Sequence, residues 1–135
     1  MIVIDASTLS KYLLKEENWR EVKKYLVMGV YSVDHIVKEV SNAIWKHFVL
    51  FNRITKDNAI LLYKQLKRML EEEILILDPE NLYIDKALEI SLNYKITFYD
   101  SIYLAQALKY GELLTSDQKQ AEISKKLNIK THYIE

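Results

Sequence analysis

The sequence predicts an α/β fold in which parallel strands lie between helices on both faces, and three observations carry that expectation. Five short strand-like runs alternate with segments of helical periodicity: Ile2 to Ile4, Val30 to Val33, Ile74 to Leu77, Leu113 to Thr115 and Lys130 to Ile134. The first is an unbroken β-branched run, as in a strand buried on both faces of a parallel sheet. That run stops abruptly at Asp5, followed by Ala6, Ser7 and Thr8 and then an apolar helical pattern, a strand-to-helix junction. Right-handed crossovers between parallel strands put helices on both faces and bring every strand's C-terminal end to one edge.

Composition agrees. A chain of 135 residues suits one domain with room for a core, and no repeat, linker or low-complexity segment divides it, so a single domain over 1–135 is expected. Hydrophobic residues make up 50% and charged residues 28%, values of a folded chain and not a disordered one. The longest apolar runs fall far short of the ~18 residues that a membrane span needs. No basic–apolar–small leader precedes the first strand, so a cytoplasmic location is expected. With no Cys, disulfides, thiolate nucleophiles and Cys-based zinc sites are excluded. Nineteen basic and nineteen acidic side chains cancel, so no global field advertises a nucleic-acid binder. Clustered acids at a metal site would, however, offset a basic groove elsewhere.

The helices follow from period and punctuation. Leu9, Leu13 and Leu14 mark a helix from about Ser7 to Leu14; Trp19, Val22 and Leu26 mark one from Trp19 to Met28, closed by Gly29. Asp34 is placed to cap a helix from His35 to Phe51, whose apolar stripe is Ile36, Val40, Ala43, Ile44, Phe48 and Phe51. Glu39 falls inside that stripe, so it either faces the core or borders it and reaches water. Asn42 shares its face one turn on. Thr55 or Asp57 starts a long helix to about Glu72, with Ile60, Leu61, Tyr63, Leu66, Met69 and Leu70 apolar and its lysines on a solvated face. Asp78 to Asn81 is turn chemistry leading into a helix from Leu82 to Asn93. Thr97 then caps a strongly apolar helix that Gly111 ends, and Asp117 caps a last helix to Leu127, which Asn128 stops.

Four acids stand out against this frame. Asp5 and Asp117 lie just past two strand ends, and Glu39 and Asp100 lie in early turns of helices. Plain structural roles are open to them: capping for Asp100 and Asp117, and the rim of a stripe for Glu39. Caps and rim residues acting independently need not converge on one sheet edge, yet the topology brings these four there. Two carboxylates ~5 Å apart repel by about 3 kcal/mol at an effective dielectric of about 20. A cluster of four therefore stays partly protonated unless a cation fills it. Hard oxygen donors without Cys or clustered His favour Mg²⁺ or Mn²⁺ over zinc. Such ions support phosphodiester cleavage.

Competing sites lack their parts. Two glycines build neither G-x-G-x-x-G nor G-x-x-x-x-G-K-[ST], and no Ser sits in G-x-S-x-G. His35, His47 and His132 stand in unrelated contexts. A haloacid-dehalogenase-like phosphatase needs a second Asp where Ser7 stands, and a receiver domain needs an acidic pair before Asp5.

Four stretches in order, Ile2-Val3-Ile4-Asp5-Ala6-Ser7, Glu39-Val40-Ser41-Asn42-Ala43, Tyr99-Asp100-Ser101-Ile102-Tyr103-Leu104-Ala105 and Leu114-Thr115-Ser116-Asp117, resemble the successive motifs of PIN domains. The resemblance spans the whole chain and is nearest to the VapC-type ribonuclease toxins. It implies a three-layer α/β/α sandwich with a central five-stranded parallel sheet, and Mg²⁺- or Mn²⁺-dependent cleavage of RNA. Carried onto this chain, it implies Asp5, Glu39, Asp100 and Asp117 as the catalytic quartet. Of these, Asp5, Asp100 and Asp117 would be metal ligands, and Glu39 would orient or deprotonate the attacking water. Ser7, Asn42 and Thr115 would be supporting residues. A homodimer and a small VapB-like antitoxin are the partners it implies. The alternative reading is a catalytically silent PIN-like module that binds RNA or protein.

Overall fold

The computed structural model describes residues 1–135. Its sheet consists of β1 (Ile2–Ile4), β2 (Val30–Val33), β3 (Leu75–Asp78), β4 (Glu112–Thr115) and β5 (Lys130–Tyr133). The order is β3-β2-β1-β4-β5 with every pair parallel. The all-apolar β1 takes the centre and is buried throughout, whereas the edge strands expose Ile76 and Tyr133. Seven helices cover the sheet: α1 (Ala6–Leu13), α2 (Arg20–Val27), α3 (His35–Val49), α4 (Lys56–Glu71), α5 (Ile84–Tyr94), α6 (Phe98–Tyr110) and α7 (Gln118–Lys126). Helix α1 packs on α2, α3 and α4, while α6 packs on α5 and α7, which yields the expected α/β/α sandwich with five parallel strands.

Chain order reverses between β1 and β4. From β1 the sheet grows outward through β2 and β3 on one side, then restarts with β4 and β5 on the other. Open parallel sheets place their ligand crevice outside the strand ends at such a switch point. Ile4 pairs with Leu114, and the Asp5 amide donates to the Leu114 carbonyl at 3.3 Å, so Asp5 and the Thr115–Asp117 turn leave the sheet side by side.

Local signals fix the helix ends. The Thr55, Thr97 and Asp117 side chains accept from the amides of Asn58, Asp100 and Gln120. Gly111 ends α6 at φ 88°, a left-handed conformation that only glycine adopts without strain.

Three expectations need correction. Asp34 occupies the cap position of α3 but makes no capping bond; its carboxylate accepts from the Glu80 amide at 3.0 Å and ties α3 to the turn after β3. The third strand is shifted one residue later than Ile74–Leu77, and the turn after it passes through a 3-10 segment at Glu80–Leu82, so α5 starts at Ile84. Phe48, Phe51, Ile60, Leu61 and Tyr63, read as core, are exposed. Two causes explain this last difference. Phe48 and Phe51 lie at or past the end of α3, whereas Ile60, Leu61 and Tyr63 lie off the inward face of α4, which Ala59, Leu62, Leu66 and Met69 form. Four-residue strands span about 13 Å, whereas 15 or 16 residues of helix span about 22 Å. The end of α3, which exceeds the strands in length, and the start of α4 pack together as a helical hairpin that exposes apolar side chains.

Asp78 anchors the edge of β3. Its Oδ2 accepts from the hydroxyls of Tyr83 and Tyr110 and from Gln106 Nε2. Burial alone would raise its pKa, but these donors outweigh it and hold the carboxyl below its usual range. Asp78→Ala strands three donors at once, so a loss of about 2–4 kcal/mol is expected from urea unfolding. Tyr110→Phe, which removes one donor and leaves two, should cost about 1 kcal/mol.

Candidate active site

Asp5 is fully buried at the end of β1. Its Oδ1 accepts from Ser7 Oγ at 2.7 Å and from the Thr8 amide at 3.0 Å, which makes Asp5 the N-cap of α1. Its Oδ2 accepts from the Thr115 hydroxyl. Those two hydroxyls continue across the switch point: Ser7 Oγ accepts from the Ser116 amide at 3.1 Å, and Thr115 Oγ1 from the Asp117 amide at 3.0 Å. Burial nevertheless pushes the Asp5 carboxyl up to about 6, because the hydrogen bonds only partly replace lost water.

The remaining acids line a cleft of about 450 Å³ beside this lattice. Glu39 from α3, Asp100 from α6 and Asp117 from the turn after β4 face it, together with Ser7 and Asn42. Asp5 lies behind the lining, beneath Ser7. The pKa of Asp100 is raised, first by burial and then by the charge of Asp117, with Thr97 and Gln120 pulling it down. This is the like-charge coupling expected of acids that share a site. Lys11 and Lys46 add positive charge to the lining.

Glu39 is half-buried, not sunk in the core. Its Oε1 accepts from the hydroxyl of Tyr103 and lies 3.6 Å from His35 Nε2. Tyr103 is fully buried, and burial together with Glu39 keeps its phenol protonated. Asn42 is exposed and makes no side-chain hydrogen bond to Glu39. No three carboxylate or imidazole groups lie close enough to enclose an ion. The reason is local: Asp5 is held by its three donors, Asp117 is turned onto the Gln120 amide at 2.9 Å, and Glu39 onto Tyr103.

Sequence reasoning missed Tyr103, His35 and Ser116. Two carried a visible signal: His35 precedes Glu39 by four residues and Tyr103 follows Asp100 by three, which are facing positions on a helix. A larger groove of about 910 Å³ runs between α2 and α4, lined by Leu26, Leu61 and Met69. None of the four acids reaches it.

The family model of the PIN domain matches residues 2–126. The chain belongs to the PIN domain family. Ribonuclease VapC3 of Pyrobaculum aerophilum is 27% identical to this PIN domain over 129 residues, 90% of this chain and 92% of that one. The crystal structure of PAE2754 from the same organism matches it with a TM-score of 0.65 and 19% identity, covering 93% of both chains, and so shares its fold.

The raised Asp5 carboxyl makes stability fall as pH rises from 3.8 towards 6, because the native state holds the proton that the unfolded chain releases. Above that window the loss levels off at about 3 kcal/mol. Asp5→Asn should therefore be more stable than wild type at pH 7 and lose the slope between pH 4 and 6. Urea midpoints across pH read this directly, and a variant less stable than wild type at pH 7 would contradict the burial argument.

Proposed function

We propose that this PIN domain is a metal-dependent endoribonuclease that cuts RNA phosphodiesters, acting as the toxin of a VapBC-type pair. The observation that carries the reading is the meeting of four acids from separate stretches of chain at the sheet's switch point. Glu39, Asp100 and Asp117 line the cleft and Asp5 lies beneath it. Similarity to Ribonuclease VapC3 supports RNA as the substrate.

The donor set fits a hard divalent cation. The proposed ligands offer carboxylate oxygens; burial raises the carboxyl of Asp5, and burial with repulsion from Asp117 raises that of Asp100, a strain that a cation relieves. Asp5, Asp100 and Asp117 would hold Mg²⁺ or Mn²⁺, after rotation of Asp117 away from its cap. When bound, such an ion offsets the charge that builds on a phosphodiester under attack.

The chain's own residues supply the rest. Glu39 keeps one oxygen on Tyr103 and has the other free to take a proton from the attacking water. Ser7 and Thr115 fix both oxygens of Asp5, and Asn42 offers an amide to the cleft. Lys11 and Lys46 draw the phosphate backbone towards the acids. A VapB-like antitoxin and a homodimer belong to the same reading. The apolar hairpin formed by the end of α3 and the start of α4 supports partners of that kind, since exposed apolar patches mark interaction surfaces.

The test is RNA cleavage with Mg²⁺ or Mn²⁺. Asp5→Asn and Asp100→Asn should abolish turnover, and Glu39→Gln should lower kcat by about 10²–10⁴. Calorimetric Mn²⁺ binding should be lost in Asp100→Asn. Equal cleavage by wild type and Asp5→Asn would sink the site assignment, and tight RNA binding without any metal-dependent turnover would favour a silent binding module.

A further inference from the structure

At the rim of the cleft two aromatic rings lie almost parallel. The His35 and Tyr99 rings are 4.8 Å apart at 10°. Each adjoins a residue of the cleft: His35 stands one helical turn before Glu39, and Tyr99 immediately before Asp100. The pair is also held from behind. His35 Nε2 lies 3.6 Å from Glu39 and its Nδ1 3.4 Å from Glu80, which pins the imidazole between α3 and the turn after β3. Phe98 supports Tyr99 from the side, edge to face at 6.0 Å and 64°.

Yet Tyr99 is 58% exposed. Its hydroxyl makes no hydrogen bond within the chain, and one face of its ring is covered by His35. An exposed aromatic ring contributes nothing to the core. A ring already fixed in orientation loses little freedom when a flat partner covers its open face.

We propose that the open face of Tyr99, backed by His35, is a stacking site for a nucleobase beside the phosphodiester that is cut. The inference rests on the ribonuclease reading and deepens it. Aromatic rings stack on any base, and alanine substitution of such rings costs one to two orders of magnitude in binding. The lattice of acids and lysines recognises only backbone, so this platform is where the chain would sense a base in place of a phosphate. Because Tyr99 and Asp100 are consecutive, a stacked base fixes the register of the strand relative to the acids. His35 thereby acts as a positioning residue, through Tyr99 on one side and Glu39 on the other.

The experiment uses wild type, Tyr99→Leu and Tyr99→Phe with a cleavable RNA oligonucleotide, and with versions carrying an abasic nucleotide or 2-aminopurine at each position around the cut. Tyr99→Leu should raise KM about tenfold, with a smaller effect on kcat, and Tyr99→Phe should restore it. One abasic position should cost wild type that same factor and cost Tyr99→Leu nothing more. In metal-chelated buffer, 2-aminopurine at that position should be quenched by wild type and Tyr99→Phe but not by Tyr99→Leu. If wild type cleaves RNA and Tyr99→Leu matches it in KM and quenching at every position, the platform is refuted and the ribonuclease reading stands. If wild type neither cleaves nor quenches any RNA with or without metal, both fall.

Discussion

The contact that the rest of the structure depends on is the hydrogen bond from Thr115 to Asp5. It joins the ends of β1 and β4 at the one place where chain order reverses. From Asp5 the network reaches Ser7 and the amide that starts α1; from Thr115 it reaches the amide of Asp117 at the start of α7. Two helices are therefore aimed by the same few oxygens. A neutral side chain at residue 5 could cap α1 as well, so capping alone does not account for an ionisable group whose burial raises its carboxyl to about 6. A destabilised group at a strand end is the usual sign of a site whose demands differ from those of the fold.

Much of this was legible in the chain. The run Ile2 to Ile4 marks a doubly buried strand because β-branched residues without polar alternation suit nothing else at that length. Thr55, Thr97, Asp117 and Gly111 act where they were expected to, since caps depend on neighbours within one turn. Convergence of the acids was also readable, because parallel topology alone carries strand ends to a common edge. Position at that edge, however, is less than contact. Asn42 reaches the cleft without a hydrogen bond to Glu39, and Asp117 is turned onto its own helix.

What the sequence concealed depended on elements far apart in the chain. Asp34 has every local feature of a cap, but the turn after β3 brings the Glu80 amide to its carboxylate, a contact across 46 positions. Tyr103 reads as one more apolar residue of α6; only the approach of α3 gives its hydroxyl an acceptor. Periodicity in α3 does not report how far along its apolar side the packing extends, and in α4 apolar residues occur on more than one side, so the inward face is set by tertiary packing. Phe48 and Phe51 lie where α3 runs out past its packing, whereas Ile60, Leu61 and Tyr63 lie off the inward face of α4, which Ala59, Leu62, Leu66 and Met69 form.

That overhang has a colloidal consequence. The hairpin presents Trp45, Phe48, Val49, Leu50 and Phe51 to solvent on a chain whose formal net charge is zero. Proteins usually keep sticky patches apart by long-range repulsion between like-charged copies, and this one has no such reserve. Attraction between copies is therefore set by this stretch of helix with little net-charge repulsion to oppose it. Lowering the salt concentration brings no rescue, whereas covering or polarising the hairpin does.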